Sequence, residues 1–217
     1  MAPERANKRK LQAAATQERM LAAAREVFET SGYRGATVGA ITRAADTAHG
    51  TFYLYFRNKD DAFDQVMAAM REEISEAQRA RLVGDPHDDI EGVVRGFLDV
   101  FSEHAGLWRA LLEGMMQSPA VERIWLDTRE LFVERMAHGI EREQVAGRVR
   151  DLDPAMTALA LGSMAEWCAF TYVVVGDNTG PAALDRAVRT LTDLWYHALY
   201  GNVAPSANGS DGRDSAS

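Results

Sequence analysis

The chain has 217 residues, 47 % of them hydrophobic and 26 % charged, an ordinary balance for a globular protein of one large or two small domains. Its single cysteine, Cys168, excludes an internal disulfide framework and a cysteine-based zinc site, and five dispersed histidines offer no metal-ligand or triad spacing. No uninterrupted apolar run reaches the length of a membrane span, and the polar N-terminus lacks the apolar stretch of a secretory signal, so a cytoplasmic protein without membrane contact is expected.

The net charge of −8 argues at first against a nucleic-acid partner, but its distribution is uneven. Through residue 60 the chain holds 10 basic and 6 acidic residues, a net +4, and includes all three lysines, Lys8, Lys10 and Lys59. The remainder holds 14 basic and 26 acidic residues, a net −12. Such asymmetry points to a basic module on an acidic body.

In chain order, residues 1–14 read as a flexible basic arm carrying Arg5, Lys8, Arg9 and Lys10. A helix begins at Gln17, with Met20, Leu21, Ala24, Val27 and Phe28 on one face, and Gly32 is its left-handed C-terminal cap. Thr37 stands as N-cap of a two-turn helix over 38–45, followed by a turn at Asp46 and Thr47. The next stretch, HGTFYLYF at 49–56, reads as a short helix: Phe52 and Phe56 share one face at i and i+4 and can be buried. His49, Thr51, Tyr53 and Tyr55 lie off that face.

Asn58 caps the helix after it, and Asp60 and Asp61 sit in its first turn where the helix dipole favours carboxylates. Further helices are expected over 87–104, 105–117, 119–146 (with Val121, Ile124, Trp125, Leu131, Phe132, Met136 and Ile140 inward), 154–175 and 181–200. The last 16 residues, 202–217, lack apolar periodicity and read as a disordered tail. The fold class is therefore all-α: a three-helix unit over 15–62, then a helical bundle over 63–201.

Two short helices joined by a tight turn and braced by a longer one describe a helix-turn-helix, whose second helix enters a DNA major groove. From pattern alone, an ordinary protein interface remains the alternative. The stretches MLAAAREVFETSGYRGAT (20–37) and TVGAITRAADTAHGTFYLYFRNKDDAF (37–63) resemble the DNA-binding segment of the tetracycline-repressor (TetR) family of bacterial transcriptional regulators. The resemblance covers about 45 residues closely; beyond them it extends to length and architecture only. It implies that Thr37, Tyr55 and Lys59 contact phosphates. It also implies that His49, Thr51 and Tyr53 touch bases or phosphates, and that Gly50 permits close approach to the DNA backbone.

Three positions depart from the family pattern. Asp46 stands where the turn usually has Gly, and His49 where Lys or Arg is common. Ala48 replaces the usual Ser or Thr cap, leaving Thr47 as the substitute cap and, beside the recognition helix, a further expected DNA contact. The basic arm reads either as a minor-groove contact or as a solvated tail.

In the body, methionines and aromatics are compatible with an adaptable apolar cavity, and the resemblance implies one; Phe101, Trp108, Met115, Trp125, Phe132, Met136, Met164, Trp167 and Phe170 are its candidate lining. Met156, Ala160, Met164, Trp167 and Thr171 form one stripe of the 154–175 helix, read as core. ALALGSMAEWCAF (158–170) resembles the helix of family members that bind lipophilic effectors. Glu166 on the same helix is expected to be exposed, and Cys168 to act as a small apolar side chain. The last helix presents Leu184, Val188, Leu191 and Trp195 in an apolar band wide enough to serve both the core and a second subunit, and the resemblance implies a two-fold dimer formed with the 154–175 helix.

These readings converge on a ligand-responsive repressor that binds a pseudo-palindromic double-stranded DNA operator as a homodimer, is released by a small apolar effector, and needs no cofactor or metal. The rivals are a helical enzyme, for which no catalytic motif is visible, and an adaptor without DNA binding.

Overall fold

The computed structural model describes residues 2–79 and 84–201. Nine α-helices follow one another among them: α1 Ala2–Gly35, α2 Val38–Ala44, α3 His49–Phe52, α4 Lys59–Arg79, α5 Pro86–Glu103, α6 Ala105–Met115, α7 Pro119–Val145, α8 Pro154–Ala169 and α9 Pro181–Tyr200. A π-helical segment, Phe170–Val175, continues α8. The all-α expectation holds.

The predicted caps set the boundaries. The Ala40 N–H donates to Thr37 Oγ1 at 3.1 Å, Asp61 N–H to Asn58 Oδ1 at 2.8 Å, and Met156 N–H to Asp153 Oδ1 at 2.8 Å. Each satisfies one of the donors a helix start leaves open. Gly32 takes φ 68°, turning the chain inside what is otherwise continuous helix. Asp46 takes φ 50°, so the turn between α2 and α3 does require the left-handed conformation that glycine adopts most readily.

Four expectations need correction. The first helix starts at Ala2 rather than Gln17, so the backbone of the arm is helical; the side chains of Arg5, Lys8, Arg9 and Lys10, and the whole tail, lie outside the described residues. The helix expected over 49–56 ends at Phe52 and continues as turns, with Leu54 N–H donating to Thr51 O at 3.1 Å. Leu131 is exposed, because α7 meets α4, α6 and α8 through other faces. Finally, Pro154–Val175 is long and apolar enough to cross a membrane by length and composition alone. It instead packs on α7 and α5.

A main core runs from Met20 and Phe28 on α1 through Phe52, Phe56 and Phe63 to Leu98, Leu107, Leu161 and Trp195. The three-helix head and the body therefore share it. Phe52 and Phe56 are fully buried, and burying each contributes roughly 2–3 kcal/mol to holding α3 in place. Arg71 donates to Thr128 at 2.9 Å and Arg135 to Ser75 at 2.9 Å, binding α4 to α7; Arg95 pairs with Asp185 at 2.7 Å, binding α5 to α9.

Candidate functional site

Two sites stand at opposite ends of this core: an exposed polar face on the head and a chain of cavities in the body. On the head, Thr37, His49 and Tyr53 are exposed, Tyr53 by 57 %. His49 and Tyr53 pack edge to face, with ring centroids 5.9 Å apart. The burial of Phe52 turns them outward, as the i, i+4 pattern of the two Phe demanded. Gly50 has no atom within 4 Å of where a Cβ would stand, so nothing inside the molecule requires a glycine there. Thr51 is half-buried. Arg34 and Arg43 are also exposed and form no ion pair among the described residues.

Three expected contact residues are engaged internally. Tyr55 is half-buried and its hydroxyl donates to the Ala13 carbonyl at 3.3 Å. Lys59 Nζ donates to the Tyr33 carbonyl at 2.9 Å and stands 4.1 Å above the Tyr33 ring. Thr47 does not cap α3: its hydroxyl and its N–H both turn back to the Thr42 carbonyl, at 3.4 and 2.9 Å. Ala48 is the N-cap residue and gives no side-chain bond. Arg57, just before α4, is neutralised by Asp61 at 2.8 Å, which holds the Asp61 carboxyl below its ordinary pKa.

The join between head and body is polar and tight. The Tyr33 hydroxyl at the end of α1 donates to Asp60 at the start of α4, and Ser118 before α7 donates to the other Asp60 oxygen at 3.0 Å. Burial, and then the bond to Asp60, push the Tyr33 phenol up to about 12. His104, between α5 and α6, is buried with Nδ1 at 2.7 Å from Glu29 of α1 and Nε2 at 3.0 Å from Glu73 of α4; Arg25 also pairs with Glu73 at 2.6 Å. None of these partners was visible in the sequence, since they lie dozens of residues apart.

Three cavities follow one another through the body. The largest, about 730 Å³, lies between α4, α5, α7, α8 and α9 and includes Phe132, Met136, Ile140, Trp195 and Tyr200 in its wall. A narrow one of about 100 Å³ shares Phe132, Met136 and Trp195 with it and adds Phe97, Trp108 and Trp125. A third, about 260 Å³, shares Trp108 and Trp125 with the narrow one and adds Phe101, Trp167 and Phe170. Seven of the nine side chains expected to line a pocket therefore lie on these walls. Met115 and Met164 do not; both pack against the core instead.

Glu166 is not free in solvent as expected. It accepts from Trp125 Nε1 at 3.0 Å and pairs with Arg129 at 3.1 Å, while Arg129 also donates to Ser163 at 2.6 Å. The signal was present: Glu166 is the only charged residue of α8. Cys168 is half-buried, which raises its thiol pKa.

The residues expected at a dimer surface are used up inside the chain. Val188, Leu191 and Trp195 are buried against the body's own core, and Leu184 is half-buried. Conversely, much of the α8 stripe read as core faces outward: Met156 is 62 % and Trp167 63 % exposed, with Ala160 and Thr171 also exposed. Ala158, Leu161, Ala165 and Ala169 form the face that is buried.

Comparison with known proteins agrees with this architecture. Residues 20–66 match the family model described as bacterial regulatory proteins, tetR family. Residues 90–201, more than half of the chain, match the C-terminal domain of the transcriptional regulator EthR. The chain is 24 % identical to the HTH-type transcriptional regulator EthR of Mycolicibacterium smegmatis, over 85 % of this chain and 86 % of that one. It is 26 % identical to the HTH-type transcriptional regulator UidR of Escherichia coli K12, over 75 % of this chain and 81 % of that one. The fold superposes on a crystal structure of a TetR-family regulator from Mesorhizobium loti with a TM-score of 0.71 at 18 % identity, covering 87 % of this chain and 98 % of that one. The two family matches, one over the helix-turn-helix head and one over more than half of the chain, place it in the tetR family of bacterial regulatory proteins, as a helix-turn-helix transcriptional regulator.

Proposed function

We propose that the protein is a ligand-responsive repressor: a homodimer that holds a pseudo-palindromic duplex operator and lets it go when a small apolar effector enters the body. The observation that carries the DNA half is the outward face of Thr37, His49, Gly50 and Tyr53, held rigid from beneath by Phe52 and Phe56. Hydroxyls and an imidazole on such a face serve phosphates and base edges, and an open Gly50 lets a phosphate backbone come close. Tyr55 and Lys59 belong to the supporting layer in the free protein, and reach phosphates only by exchanging their internal bonds.

The dimer uses the outward stripe of Met156, Leu159 and Trp167 on α8 together with Leu194 on α9, all exposed in the single chain. This keeps the α8–α9 pairing expected from the sequence and changes its contact residues. Two heads so arranged must meet successive major grooves, ~34 Å apart or a little more.

The effector half rests on α6. Trp108 of that helix lines the cavities, while Gly106, two residues earlier and about 200° around the helix, lies against Glu29 of α1. A ligand that moves Trp108 therefore moves the surface on which the head rests. The ligand shifts a population between head spacings, and ~1.4 kcal/mol of differential affinity changes operator binding tenfold.

The test is titration of duplex DNA from the region upstream of the gene with the purified protein and with Tyr53→Ala. The variant is expected to keep its melting temperature and dimer and to bind at least tenfold more weakly. Equal affinity of the two would remove Tyr53 from the interface and the proposal with it.

A further inference from the structure

α8 does not end as an ordinary helix. It passes into the π-wound segment Phe170–Val175, and the chain leaves through Asp177 at φ 53°. The Gly176 N–H donates to the Thr171 carbonyl at 3.1 Å, one residue further back than α-helical spacing. Asn178 donates twice to the Tyr172 carbonyl, through its N–H at 3.4 Å and its Nδ2 at 2.9 Å. The donors of this exit turn are thus committed upstream of Val174. A helix end leaves its last carbonyls without partners in the helix, and Val174 is only 1 % exposed, so little water reaches it.

The donor that serves Val174 comes from another helix. Arg109 of α6 donates through Nη2 to the Val174 carbonyl at 2.5 Å. The bond is charge-assisted, and it sets a cation at the negative end of a helix. Among the described residues Arg109 forms no ion pair that would compete for its guanidinium.

On α6, Gly106 lies against Glu29 of α1, Trp108 lines the cavities and Arg109 holds the π segment. At the other end of that segment, Phe170 stands beside Trp108 on the wall of the 260 Å³ cavity. Its ring packs on Trp167, with centroids 5.5 Å apart. One guanidinium therefore ties an element of the cavity wall to the helix on which the head rests. π winding is rare, and it recurs where a helix has a functional task.

We propose that Arg109 is a positioning residue for the DNA-binding head: by clamping the Val174 carbonyl to α6 it holds that helix where the head fits duplex DNA, and rewinding of Phe170–Val175 opens the clamp. The effector reading above enters only as what displaces Phe170. The clamp and its reach to the head are tested without any ligand.

The experiment compares the full-length protein with Arg109→Met and Arg109→Lys. Hydrogen exchange is followed by mass spectrometry, beside thermal melting and titration of the upstream duplex DNA. Met keeps the stem and removes the donor, whereas Lys keeps a donor. In Arg109→Met the amides of Phe170–Val175 are expected to exchange roughly tenfold faster, the effect of one hydrogen bond from a charged group. Amides at the end of α1 should exchange roughly threefold faster and the DNA affinity should fall roughly fivefold, with the melting temperature little changed. Arg109→Lys is expected to recover about half of each change.

Unchanged exchange of Phe170–Val175 in Arg109→Met would overturn the clamp. Faster exchange there with parental exchange at the end of α1 would overturn its reach to the head. A Lys variant no better than Met, or a weaker affinity matched by a lower melting temperature, would make Arg109 ordinary packing and overturn the inference. A parent chain that holds no duplex would remove the repressor reading, while the two exchange results still decide the clamp. Should Arg109→Met fail to fold, Arg109→Gln takes its place under the same outcomes.

Discussion

Gly106 on α6 lies against the backbone of Glu29 on α1: a Cβ at residue 106 would meet the Glu29 carbonyl oxygen at 2.5 Å and its Cα at 2.9 Å. The two helices approach this closely because residue 106 has no side chain, and the atoms in the way are main chain, which cannot rotate aside. Gly106→Ala is therefore expected to lower stability by about 1–3 kcal/mol, the usual cost of overpacking. Urea unfolding measures it. A midpoint unchanged from the parent would mean that α6 does not bear on the head.

His104 fastens the same joint by hydrogen bonding. Its ring stands 2.7 Å from Glu29 and 3.0 Å from Glu73, so one side chain ties together carboxylates of two different helices. Replacing it by Ala is expected to cost about 2 kcal/mol, moderated because both carboxylates keep some contact with water. A double-mutant cycle of His104→Ala with Glu29→Gln should show coupling of about 1 kcal/mol. Strict additivity would show that the 2.7 Å contact contributes nothing.

Tyr33 makes stability depend on alkaline pH. Its folded pKa is raised to about 12 from the ordinary 10.0, first by burial and then by Asp60. The unfolded chain gives up this proton first, so the contribution is complete below about pH 10 and is lost as pH rises towards 12. The change amounts to roughly 2–3 kcal/mol at most. Denaturant midpoints between pH 9 and 12 (roughly the span over which the linkage acts) should fall for the parent and stay flatter for Tyr33→Phe. Parallel curves would place the titrating group elsewhere.

Asp46 holds φ 50° in the turn of the helix-turn-helix, a conformation an L side chain enters at a cost. Asp46→Gly relieves that strain but gives the unfolded chain more freedom. The expected net gain is a modest ~0.5 kcal/mol, seen as a higher urea midpoint with an unchanged slope. A loss of stability would mean that the Asp46 side chain makes a contribution its backbone conformation hides.

How much of this was legible in the sequence depended on the range of the interaction. Caps act within three residues, and Thr37, Asn58 and Asp153 were readable as caps for that reason. The Phe52–Phe56 pair likewise turned Tyr53 outward through helix geometry alone. The bonds of Tyr55 to Ala13 and of Lys59 to Tyr33 span the head and carry no local signature, so two side chains read as free proved to be engaged. On α8 apolar residues lie nearly all round: Met156 and Trp167 outside, Ala158, Leu161, Ala165 and Ala169 inside. Periodicity could show that α8 is apolar but not which face its own core would take. The same ambiguity holds on α9, where Val188, Leu191 and Trp195 are buried in the single chain, since a wide band fits a core and a partner equally well.

The central claim, that the His49–Tyr53 face of each head lies on duplex DNA, is tested most directly by salt. The affinity of the purified dimer for its upstream DNA should fall linearly on a log–log plot with a slope of ~0.9 per phosphate contacted, and Tyr53→Ala should weaken binding at every salt concentration. An affinity for that DNA indifferent to salt, or absent at low salt, would contradict the account.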